Sequence, residues 1–478
     1  MVVTIESLLI QPEGKTLEFK QDLSSPKPLL KTLAAFANTA GGLLIIGVSD
    51  DRNIVGVEFP LDEEERLCSI IADSISPRLV PNVELITIQD KTLLVVEVFV
   101  SGLRPHYLKA DGPEQGVFVR LGSTNRQADP ALIAELRRTA EGIAFDEMPM
   151  PELSRDDLDL DLAQKLFADV RKLDEHSLVT LKLLTSYQGR LVPTKGAVLL
   201  FGKDRILHFP DAWVQCGRFT GTDKAIIFDH IDINDHLPQA IDSIILFLKK
   251  HAMRGADFSE VKRKDVWSIP LGILREAIIN ALIHADYSQR GAPTRISFFD
   301  DRIEIENPGI LLPGMTMEDM KQGVSKIRNH VIARVFRELN LIEQWGSGIR
   351  RIFKEAEEQG LPEPQITEVG MRVRFIIPLA IPIPIPAVIE QVEAQVEAQV
   401  EAQVDSNILA ACAITPLSSA EIATTLGHKQ LSGNLRKALP RLREAGFLEY
   451  TIPEKPNSRL QKYQLTEKGK VYLNMIKK

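Results

Sequence analysis

The stretch from residue 13 to residue 50 limits the possible folds of this chain more than any other. Apolar residues recur at helical spacing between residues 29 and 40, and Gly41-Gly42 marks the end of that helix. The apolar run at residues 43–48 is too short for a membrane span and too apolar for an edge strand. We therefore predict a helix followed by a buried central strand, which places Asp50 just beyond its C-terminal end.

Length and composition indicate a globular protein of several domains. The 478 residues exceed what one hydrophobic core usually serves, and 44% hydrophobic with 26% charged residues is ordinary for a soluble chain. The first ten residues have no basic region before their apolar residues, so we expect no signal peptide, no membrane span and a cytoplasmic protein. Cys68, Cys216 and Cys412 are too scattered for a disulfide framework or a cysteine zinc site.

Positive charge is concentrated at the C-terminal end of an otherwise acidic chain. The net charge of −8 disfavours indiscriminate coating of nucleic acid, because a negative field repels phosphate. Residues 406–478 nevertheless contain 12 Lys and Arg against 5 Asp and Glu, which gives +7. We therefore predict that this last region contacts nucleic-acid phosphates.

The N-terminal region carries the motifs of a known family. EGKTLEFK and AFANTAGGLLIIGVSDD, followed by GVFVRLGSTNRQAD at residues 116–129, resemble Schlafen-type Alba-like domains. These are nucleic-acid-binding domains that are widespread in bacterial transcriptional regulators, and the resemblance covers residues 7–140. Within it, Arg120 and Arg126 are candidates for phosphate contacts, although ordinary strand-edge and loop charges would account for both residues equally well.

The resemblance also implies a metal site. In nuclease members of the family, two Glu five residues apart and an Asp after the apolar strand hold a divalent metal, and the matching residues here are Glu13, Glu18 and Asp50. Carboxylate oxygens suit Mg²⁺ or Mn²⁺, which neutralise developing charge and activate water during phosphodiester hydrolysis. Lys20 lies on the same strand face as Glu18, where it is placed to hold the substrate phosphate. The alternative is a turn residue, a solvated strand residue and a strand-end cap without metal.

A helix predicted at residues 274–288 brings three polar side chains to one face. Glu276, Asn280 and His284 follow at four-residue spacing beside an apolar face. The segment LREAIINALIHADYS resembles the N-box of GHKL-type ATP-binding domains, in which the Glu polarises water and the Asn ligates Mg²⁺. The resemblance assigns those roles to Glu276 and Asn280. The alternative is an amphipathic core helix with a satisfied polar edge.

The following segments extend this resemblance with two defects. RIEIENPG resembles the strand that leads to the adenine-binding turn, and GSGIRRI resembles the later glycine-rich loop. The family usually has an Asp where this chain has an Asn, and the proline after it removes a donor. The closer resemblance is to the divergent GHKL-like domain that follows Schlafen-type domains in bacteria, so we expect ATP binding and leave hydrolysis open. Its further nucleotide contacts would be Asn307, Gly309, Gly346 and Gly348.

The segment GAVLLFGKD at residues 196–204 superficially matches a P-loop. Five residues rather than four separate its glycines, these residues are bulky and apolar, and Asp204 stands where a hydroxyl group should bind the metal. We therefore reject a P-loop and predict a buried strand leading into a turn.

The C-terminal region begins with a spacer and ends with a compact helical pattern. Residues 381–405 combine a Pro-rich stretch with a Gln-Val-Glu-Ala repeat, which predicts a semi-rigid tether, with a small self-association helix as the alternative. Beyond it, two helices, a longer basic helix and a hairpin follow in the order of a winged helix. The candidate nucleic-acid-binding residues on or near the basic helix are Lys429, Arg436, Lys437, Arg441 and Arg443. A winged helix used only for protein contact is the alternative.

These patterns predict a multidomain α+β and α/β protein. It consists of an Alba-like domain at 1–140, a central domain at 155–380 with a degenerate GHKL-like α/β sandwich at 271–380, and a winged helix at 406–478. We expect a nucleic-acid-binding, nucleotide-responsive transcriptional regulator that binds DNA or RNA and associates into homo-oligomers. A metal-dependent nuclease that cuts RNA or DNA is the alternative from another class, and a scaffold with relic sites is a third.

Overall fold

The computed structural model describes residues 4–257, 264–342, 348–379, 405, 407–413, 415–426, 433–455, 458 and 461–476. They form a mixed α+β protein with several sheets and two compact units, Met1–Pro384 and Ile385–Lys478. The predicted Alba-like and central domains are therefore packed together within the first unit. In the described part of the chain, no helix has the length and apolarity needed to cross a membrane.

A four-stranded sheet forms the framework of the N-terminal domain. The strands of this domain are β1 (Leu17–Lys20), β2 (Gly42–Ile46), β3 (Ile75–Ser76), β4 (Asn82–Ile88), β5 (Lys91–Val98), β6 (Tyr107–Leu108), β7 (Phe118–Leu121) and β8 (Thr124–Gln127). The main sheet has the order β1–β2–β5–β4, in which only β1 and β2 are parallel, while β3 pairs with β6 and β7 with β8. The helices are α1 (Ile5–Leu9), α2 (Pro26–Asn38), α3 (Pro60–Ser74), α4 (Gly112–Gln115) and α5 (Pro130–Ala140).

The predicted central strand is confirmed. β2 lies between β1 and β5, and its residues Leu44, Ile45 and Ile46 are fully buried. Gly42 has a positive φ of 158°, and a Cβ atom there would lie 2.8 Å from the carbonyl oxygen of Thr16, so the entry into β2 requires a glycine. Both faces of β2 are covered by other side chains. For this reason the sequence of β2 is continuously apolar and does not alternate with polar residues.

The central domain is built on a six-stranded sheet. Its strands are β9 (Leu184–Tyr187), β10 (Arg190–Pro193), β11 (Val214–Thr220), β12 (Ile226–Ile233), β13 (Met253–Asp257), β14 (Lys264–Trp267), β15 (Thr294–Phe298), β16 (Arg302–Pro308), β17 (Gln365–Val369) and β18 (Arg372–Pro378). The sheet order is β12–β11–β15–β16–β18–β17, with β11 and β15 parallel and the other neighbours antiparallel. β9 pairs with β10, and β13 with β14.

Helices surround this sheet and supply most of its core. They are α6 (Leu160–Leu166), α7 (Glu175–Thr180), α8 (Lys195–Phe201), α9 (Arg205–His208), α10 (Leu237–Ala252), α11 (Leu271–His284), α12 (Met317–Lys321), α13 (His330–Glu338) and α14 (Gly348–Glu358). One hydrophobic cluster unites buried residues of α8, α10, α11 and α13 with the inward side chains of the strands. The predicted helix at residues 274–288 exists, but it begins and ends earlier, at Leu271 and His284.

The strand predicted at residues 196–204 is wrong. This segment forms α8, which begins after Thr194, whose hydroxyl group accepts a hydrogen bond from the Ala197 N–H at 3.1 Å. Gly196 allows α8 to approach α13 closely, since a Cβ atom there would lie 2.6 Å from the Cβ of Val331. Every residue from 196 to 201 is buried, so the run has no apolar periodicity that would distinguish a helix from a strand.

The C-terminal unit has three helical segments, a hairpin and a final helix. Residues 407–412 are helical, and they are followed by α15 (Ser419–Thr425), α16 (Gly433–Glu444), β19 (Leu448–Tyr450), β20 (Tyr463–Leu465) and α17 (Glu467–Ile476). α15 begins with a capping box between Ser418 and Glu421. The order up to the hairpin agrees with the prediction, whereas α17 was not predicted, and residues 381–404 of the tether lie outside the described residues.

A buried carboxylate joins the end of the N-terminal region to the central domain. Asp146 accepts hydrogen bonds from the backbone N–H groups of His330, Val331 and Ile332 at 3.0, 2.7 and 3.0 Å. Burial raises the pKa of Asp146 to about 6, although the N–H groups of Ile332 and Val331 oppose this shift. The side chain of Asn329 makes no capping hydrogen bond, so Asp146 supplies the acceptor for the free backbone N–H groups at the start of α13 from a distant part of the chain.

We expect Asp146→Ala to destabilise the first unit by about 2–4 kcal/mol, because it leaves buried N–H groups of α13 without an acceptor. Urea unfolding followed by far-UV circular dichroism measures the loss. Asp146→Asn is the matched control and should cost less, since its Oδ1 still accepts. Equal stability of the Ala variant and the wild type would contradict the capping role.

Candidate functional site

The central domain contains a cavity enclosed by α11, α13, α14 and the strands β16–β18. Its volume is about 170 Å³, and it opens to solvent. Gly309 is not among its lining residues, and Gly346 lies outside the described residues. The tertiary structure does bring five of the predicted nucleotide-contacting residues to the wall of this cavity: Glu276, Asn280, His284, Asn307 and Gly348.

The carboxylate of Glu276 is held from two helices. The Asn280 Nδ2 donates to its Oε1 at 2.8 Å, and the Arg351 Nη2 donates to its Oε2 at 3.0 Å. A Cβ atom on Gly348 would lie 1.6 Å from Glu276 Oε1, so glycine is needed where α14 meets this carboxylate. These two hydrogen bonds fix the orientation of the Glu276 carboxylate at the wall of the cavity.

Asn280 and His284 expose different chemistry to the cavity. The Nδ2 group of Asn280 donates to the carboxylate and the backbone oxygen of Glu276, both at 2.8 Å, while no described residue donates to its Oδ1. That amide oxygen is the kind of hard ligand that Mg²⁺ prefers, so Asn280 fits the predicted metal role. Burial lowers the pKa of His284 to about 4, so its ring is neutral at pH 7 and offers hydrogen bonds rather than charge.

The other walls of the cavity combine apolar side chains with a few cations. Ile305, Ile366, Val373 and Phe375 project from the sheet, and Lys326, Arg328 and Arg337 supply positive charge. An apolar wall with a few polar groups is the usual make-up of a small-molecule site. These cations were not among the predicted site residues, although the two basic residues on either side of Ile327 were a visible signal.

The turn that follows β16 is the one predicted to bind adenine, and its contacts differ from those that the family resemblance implies. Asn307 is almost fully buried at the end of β16, where its Nδ2 is 3.5 Å from the carbonyl oxygen of Pro308. Gly309 has a φ of 102°, and a Cβ atom there would lie 2.9 Å from Asp286 Cβ and 3.1 Å from Arg328 Cζ. The positive φ and the close approach of Asp286 and Arg328 therefore both require a glycine here.

The segment at residues 310–315 is one wall of the cavity, and its backbone is bonded to the N-terminal domain through Glu368. Glu368 Oε1 accepts from the Leu311 N–H at 2.7 Å, while the Lys15 Nζ donates to Glu368 Oε2 at 2.7 Å. The side chains of Lys15 and Glu368 are 11% and 4% exposed. Burial lowers the pKa of Lys15, while the charge of Glu368 opposes that shift.

Two further contacts fix the same wall. The Gly314 N–H donates to the carbonyl oxygen of Thr39 at 2.7 Å. Arg328, which lines the cavity, donates to the carbonyl oxygen of Ile310 and pairs with the buried carboxylate of Glu135 on α5. Burial lowers the pKa of Arg328 to about 10, so it remains charged at pH 7. The wall of the cavity is thus shared with the N-terminal domain.

The three carboxylates of the predicted metal site are not assembled. Glu13 accepts from the Phe19 N–H at 3.1 Å, Glu18 pairs with Arg120 and Lys20, and Asp50 lies in an exposed turn. No group of three or more His, Cys, Asp or Glu side chains among the described residues could hold a metal ion, and the described residues include all three carboxylates. Glu13, Glu18 and Asp50 therefore do not fit a divalent metal site. The guanidinium of Arg120, rather than a metal ion, neutralises the Glu18 carboxylate.

Arg120 is an internal residue, which contradicts its predicted contact with phosphates. Its side chain is 1% exposed, and its Nε and Nη1 donate to Gly14 O at 3.0 Å and Asn125 Oδ1 at 3.1 Å, besides the pair with Glu18. Arg126 is exposed on β8 and presents its charge to solvent. Lys20 is paired with Glu18 and one-third exposed.

Two of the predicted basic residues of the C-terminal unit are engaged within it. The Arg441 Nη2 is 2.8 Å from Asp405 Oδ1, and the Arg443 Nη1 donates to the Tyr450 hydroxyl at 2.8 Å. Lys429 and the side chains of Arg436 and Lys437 lie outside the described residues. Phosphate contacts by these three residues stay predictions.

Three family models match separate parts of the chain. The model described as Schlafen, AlbA_2 matches residues 13–129, and the model described as Putative ATP-dependent DNA helicase recG C-terminal matches residues 291–377. The model described as Filamentation induced by cAMP protein Fic-like, C-terminal domain matches residues 403–466, the region predicted as a winged helix. The matches support a nucleic-acid-related protein with an ATPase-like domain, and the second of them begins beyond the helix that carries Glu276 and Asn280.

Solved structures also resemble the chain, whereas no curated protein matches it. The DIP2311 protein from Corynebacterium diphtheriae is 21% identical over 98% of this chain and 97% of that chain, with a TM-score of 0.41. The N-terminal domain of a putative ATP-dependent DNA helicase RecG-related protein from Nitrosomonas europaea is 29% identical. That match covers 26% of this chain and 90% of the other, with a TM-score of 0.21. At these TM-scores the two structures do not establish a shared fold.

We expect Arg120→Met to destabilise the N-terminal domain by about 3–5 kcal/mol, because it removes the buried partner of Glu18 and leaves only the one-third exposed Lys20 as its counter-charge. Urea unfolding measures the loss. Arg126→Met, which removes an exposed charge in the same hairpin, should change stability by no more than about 0.5 kcal/mol. A stable Arg120→Met variant that loses nucleic-acid binding would show that Arg120 is a phosphate contact after all.

Proposed function

We propose that this protein is a nucleic-acid-binding transcriptional regulator that responds to an adenine nucleotide bound in the cavity of its central domain. The observation that carries the proposal is the convergence of Glu276, Asn280, His284, Asn307 and Gly348 on that cavity, from α11, from the end of β16 and from the start of α14. The match of residues 291–377 to an ATPase-like family model supports the same assignment.

The lining of the cavity contains groups that suit both parts of a nucleotide. Apolar side chains such as Ile305 and Phe375 offer a surface for the base. Asn280 would hold Mg²⁺ on the phosphates, and Lys326 and Arg337 would compensate their charge. Glu276 is occupied by Asn280 and Arg351, so the arrangement favours binding of the nucleotide over its hydrolysis.

The shared wall at residues 310–315 supports a response to the nucleotide. A ligand that shifts this wall acts on the hydrogen bonds to Glu368 and Thr39, and through them on Lys15 and the N-terminal domain. Thr39 Oγ1 also accepts from the Arg120 N–H at 2.9 Å, next to the Glu18 pair. Coupling requires that each ligand interact differently with two states of the protein, and we assign that role to this wall because it contacts both the cavity and the N-terminal domain.

Nucleic acid is the proposed partner of the N-terminal domain and the C-terminal unit. The first has the Schlafen, AlbA_2 match and the exposed Arg126, and the second has a net charge of +7 over residues 406–478. We keep the winged-helix assignment within this proposal, supported by the order of helices and hairpin. The nuclease alternative has no observation in its favour, because its three carboxylates are apart.

We expect ATP with Mg²⁺ to raise the melting temperature of the full chain. A ligand bound only by the folded state adds about 2.7 kcal/mol at a hundredfold excess over its dissociation constant. Asn280→Ala should abolish the Mg²⁺-dependent part of the shift in differential scanning fluorimetry. Asn82→Ala, in an exposed strand of the N-terminal domain, is the control and should retain it. No shift with saturating nucleotide would rule out this function for the cavity.

We further expect the full chain to bind duplex DNA with an affinity that falls as salt rises, because phosphate contacts release counterions. Saturating ATP and Mg²⁺ should change that affinity by about 5-fold or more, the lower range of allosteric coupling. Fluorescence anisotropy with labelled DNA measures both effects. Lys15→Met should be less stable but, where circular dichroism shows it folded, should still bind nucleotide, because Glu368 keeps its bond to the Leu311 N–H. It should lose most of the nucleotide effect on DNA, since it cuts the link to Glu368.

Lys27→Met is the matched control for Lys15→Met. Lys27 pairs with Asp111 at 2.9 Å on the surface of the same domain, away from residues 310–315. It should keep the full nucleotide effect. An unchanged nucleotide effect in Lys15→Met would show that the wall does not connect the cavity to nucleic-acid binding.

A further inference from the structure

The edge strand β12 carries an exposed apolar patch that the cavity does not explain. Four of its eight residues are apolar and between 43% and 58% exposed, namely Ile226, Ile227, Phe228 and Ile231. Leu246 of α10 is 71% exposed and lies one helical turn before Lys250, whose Nζ is 2.8 Å from Asp229 on β12. Apolar side chains concentrated in this way mark an interaction surface.

The outer side of β12 is a free edge within the part of the chain that the structure describes. β12 is the end strand of the six-stranded sheet, and its ladder partner is β11. The unpaired N–H and C=O groups of such an edge accept a further strand. A β-bulge at Phe228, where the register against β11 shifts, interrupts the ladder, so the regular part of the edge is residues 229–233.

Symmetry restricts how two copies of β12 can pair. Antiparallel edge strands of one continuous sheet are related by a two-fold axis perpendicular to the sheet, so one residue faces its own counterpart. An axis at Asp229 or Asp232 would bring two carboxylates together, and an axis at His230 would bring two imidazoles together. An axis at Ile231 pairs Ile231 with its counterpart and puts His230 of each copy opposite Asp232 of the other. In that register Asp229 faces Ile233, but its carboxylate is already bonded to Lys250 and His251 of its own chain.

We propose that the chain forms a two-fold dimer through antiparallel pairing of residues 229–233 of β12, centred on Ile231. Each His230 imidazole then donates a hydrogen bond to Asp232 of the second copy, and both residues are exposed in the single chain. The occupant is a second copy because this register is complementary to itself in charge and in apolar contact. The dimer would join the two six-stranded sheets into one.

Cysteine cross-linking of the full chain tests the register. In a Cys68→Ser background, which removes the exposed native thiol and leaves the buried Cys216 and Cys412, Ile231→Cys should form a disulfide-linked dimer under mild oxidation. Facing residues of antiparallel strands have Cβ atoms about 4.5–5.5 Å apart, close enough for a disulfide after small adjustments. Ile227→Cys is the matched control, exposed on the same strand but outside the paired segment, and should remain uncrosslinked.

Sedimentation velocity over a range of concentrations tests the charge pairing. His230→Asp should raise the dimer dissociation constant about tenfold or more, since it puts carboxylates opposite each other, and adding Asp232→His should restore dimerisation. Leu207→Asp, at an exposed apolar residue of α9 outside the patch, should leave it unchanged. Circular dichroism confirms that each variant is folded.

Three outcomes would overturn the proposal. The first is a wild-type chain that is monomeric at every concentration, which would mean that a different partner covers this edge. The second is a dimer that is cross-linked through residue 227 rather than residue 231. The third is a double variant that fails to recover the loss caused by His230→Asp.

Discussion

The buried ion pair between Lys15 and Glu368 is the contact on which the arrangement of the first unit depends. It joins the N-terminal domain to β17, and the same carboxylate holds the Leu311 N–H in the wall of the cavity. The Glu368 side chain is 4% exposed, so removal of either partner would leave a buried charge without compensation. Separation of the two domains would therefore cost free energy. Arg328 with Glu135, and Asp146 with α13, repeat this use of a buried charge across the same junction.

The cavity shows how tertiary packing selects among the chemical roles that a motif allows. Glu276 and Asn280 are four residues apart on α11 and hydrogen-bond to each other. α14 then closes on Glu276 with Gly348 and Arg351, a contact made possible by the missing Cβ atom. With a hydrogen bond to each oxygen, the Glu276 carboxylate is held in one orientation at the wall of the cavity.

In the N-terminal domain too, tertiary packing selects among the roles that a motif allows, but there it disfavours the role that the family resemblance implies. The family resemblance implies three converging carboxylates, yet Glu18 points inward from β1 and is neutralised by Arg120 on β7. A buried carboxylate needs a cation, and either a metal ion or a guanidinium meets that need. The local sequence around residues 13–50 does not contain Arg120, so the choice between the two lies beyond it.

The sequence by itself determined the elements whose patterns are local. The buried strand β2, the polar face of α11, the capping box of α15 and the order of the C-terminal helices and hairpin all follow from periodicity and capping, which depend on residues close together in the chain. The fully buried segment at 196–201 was misread, because an apolar run without periodicity fits both a helix and a strand. Only the tertiary structure decided the partners of charged groups. Lys15 with Glu368 and Glu18 with Arg120 join residues 353 and 102 positions apart, and such pairs are chosen by packing rather than by any pattern along the chain.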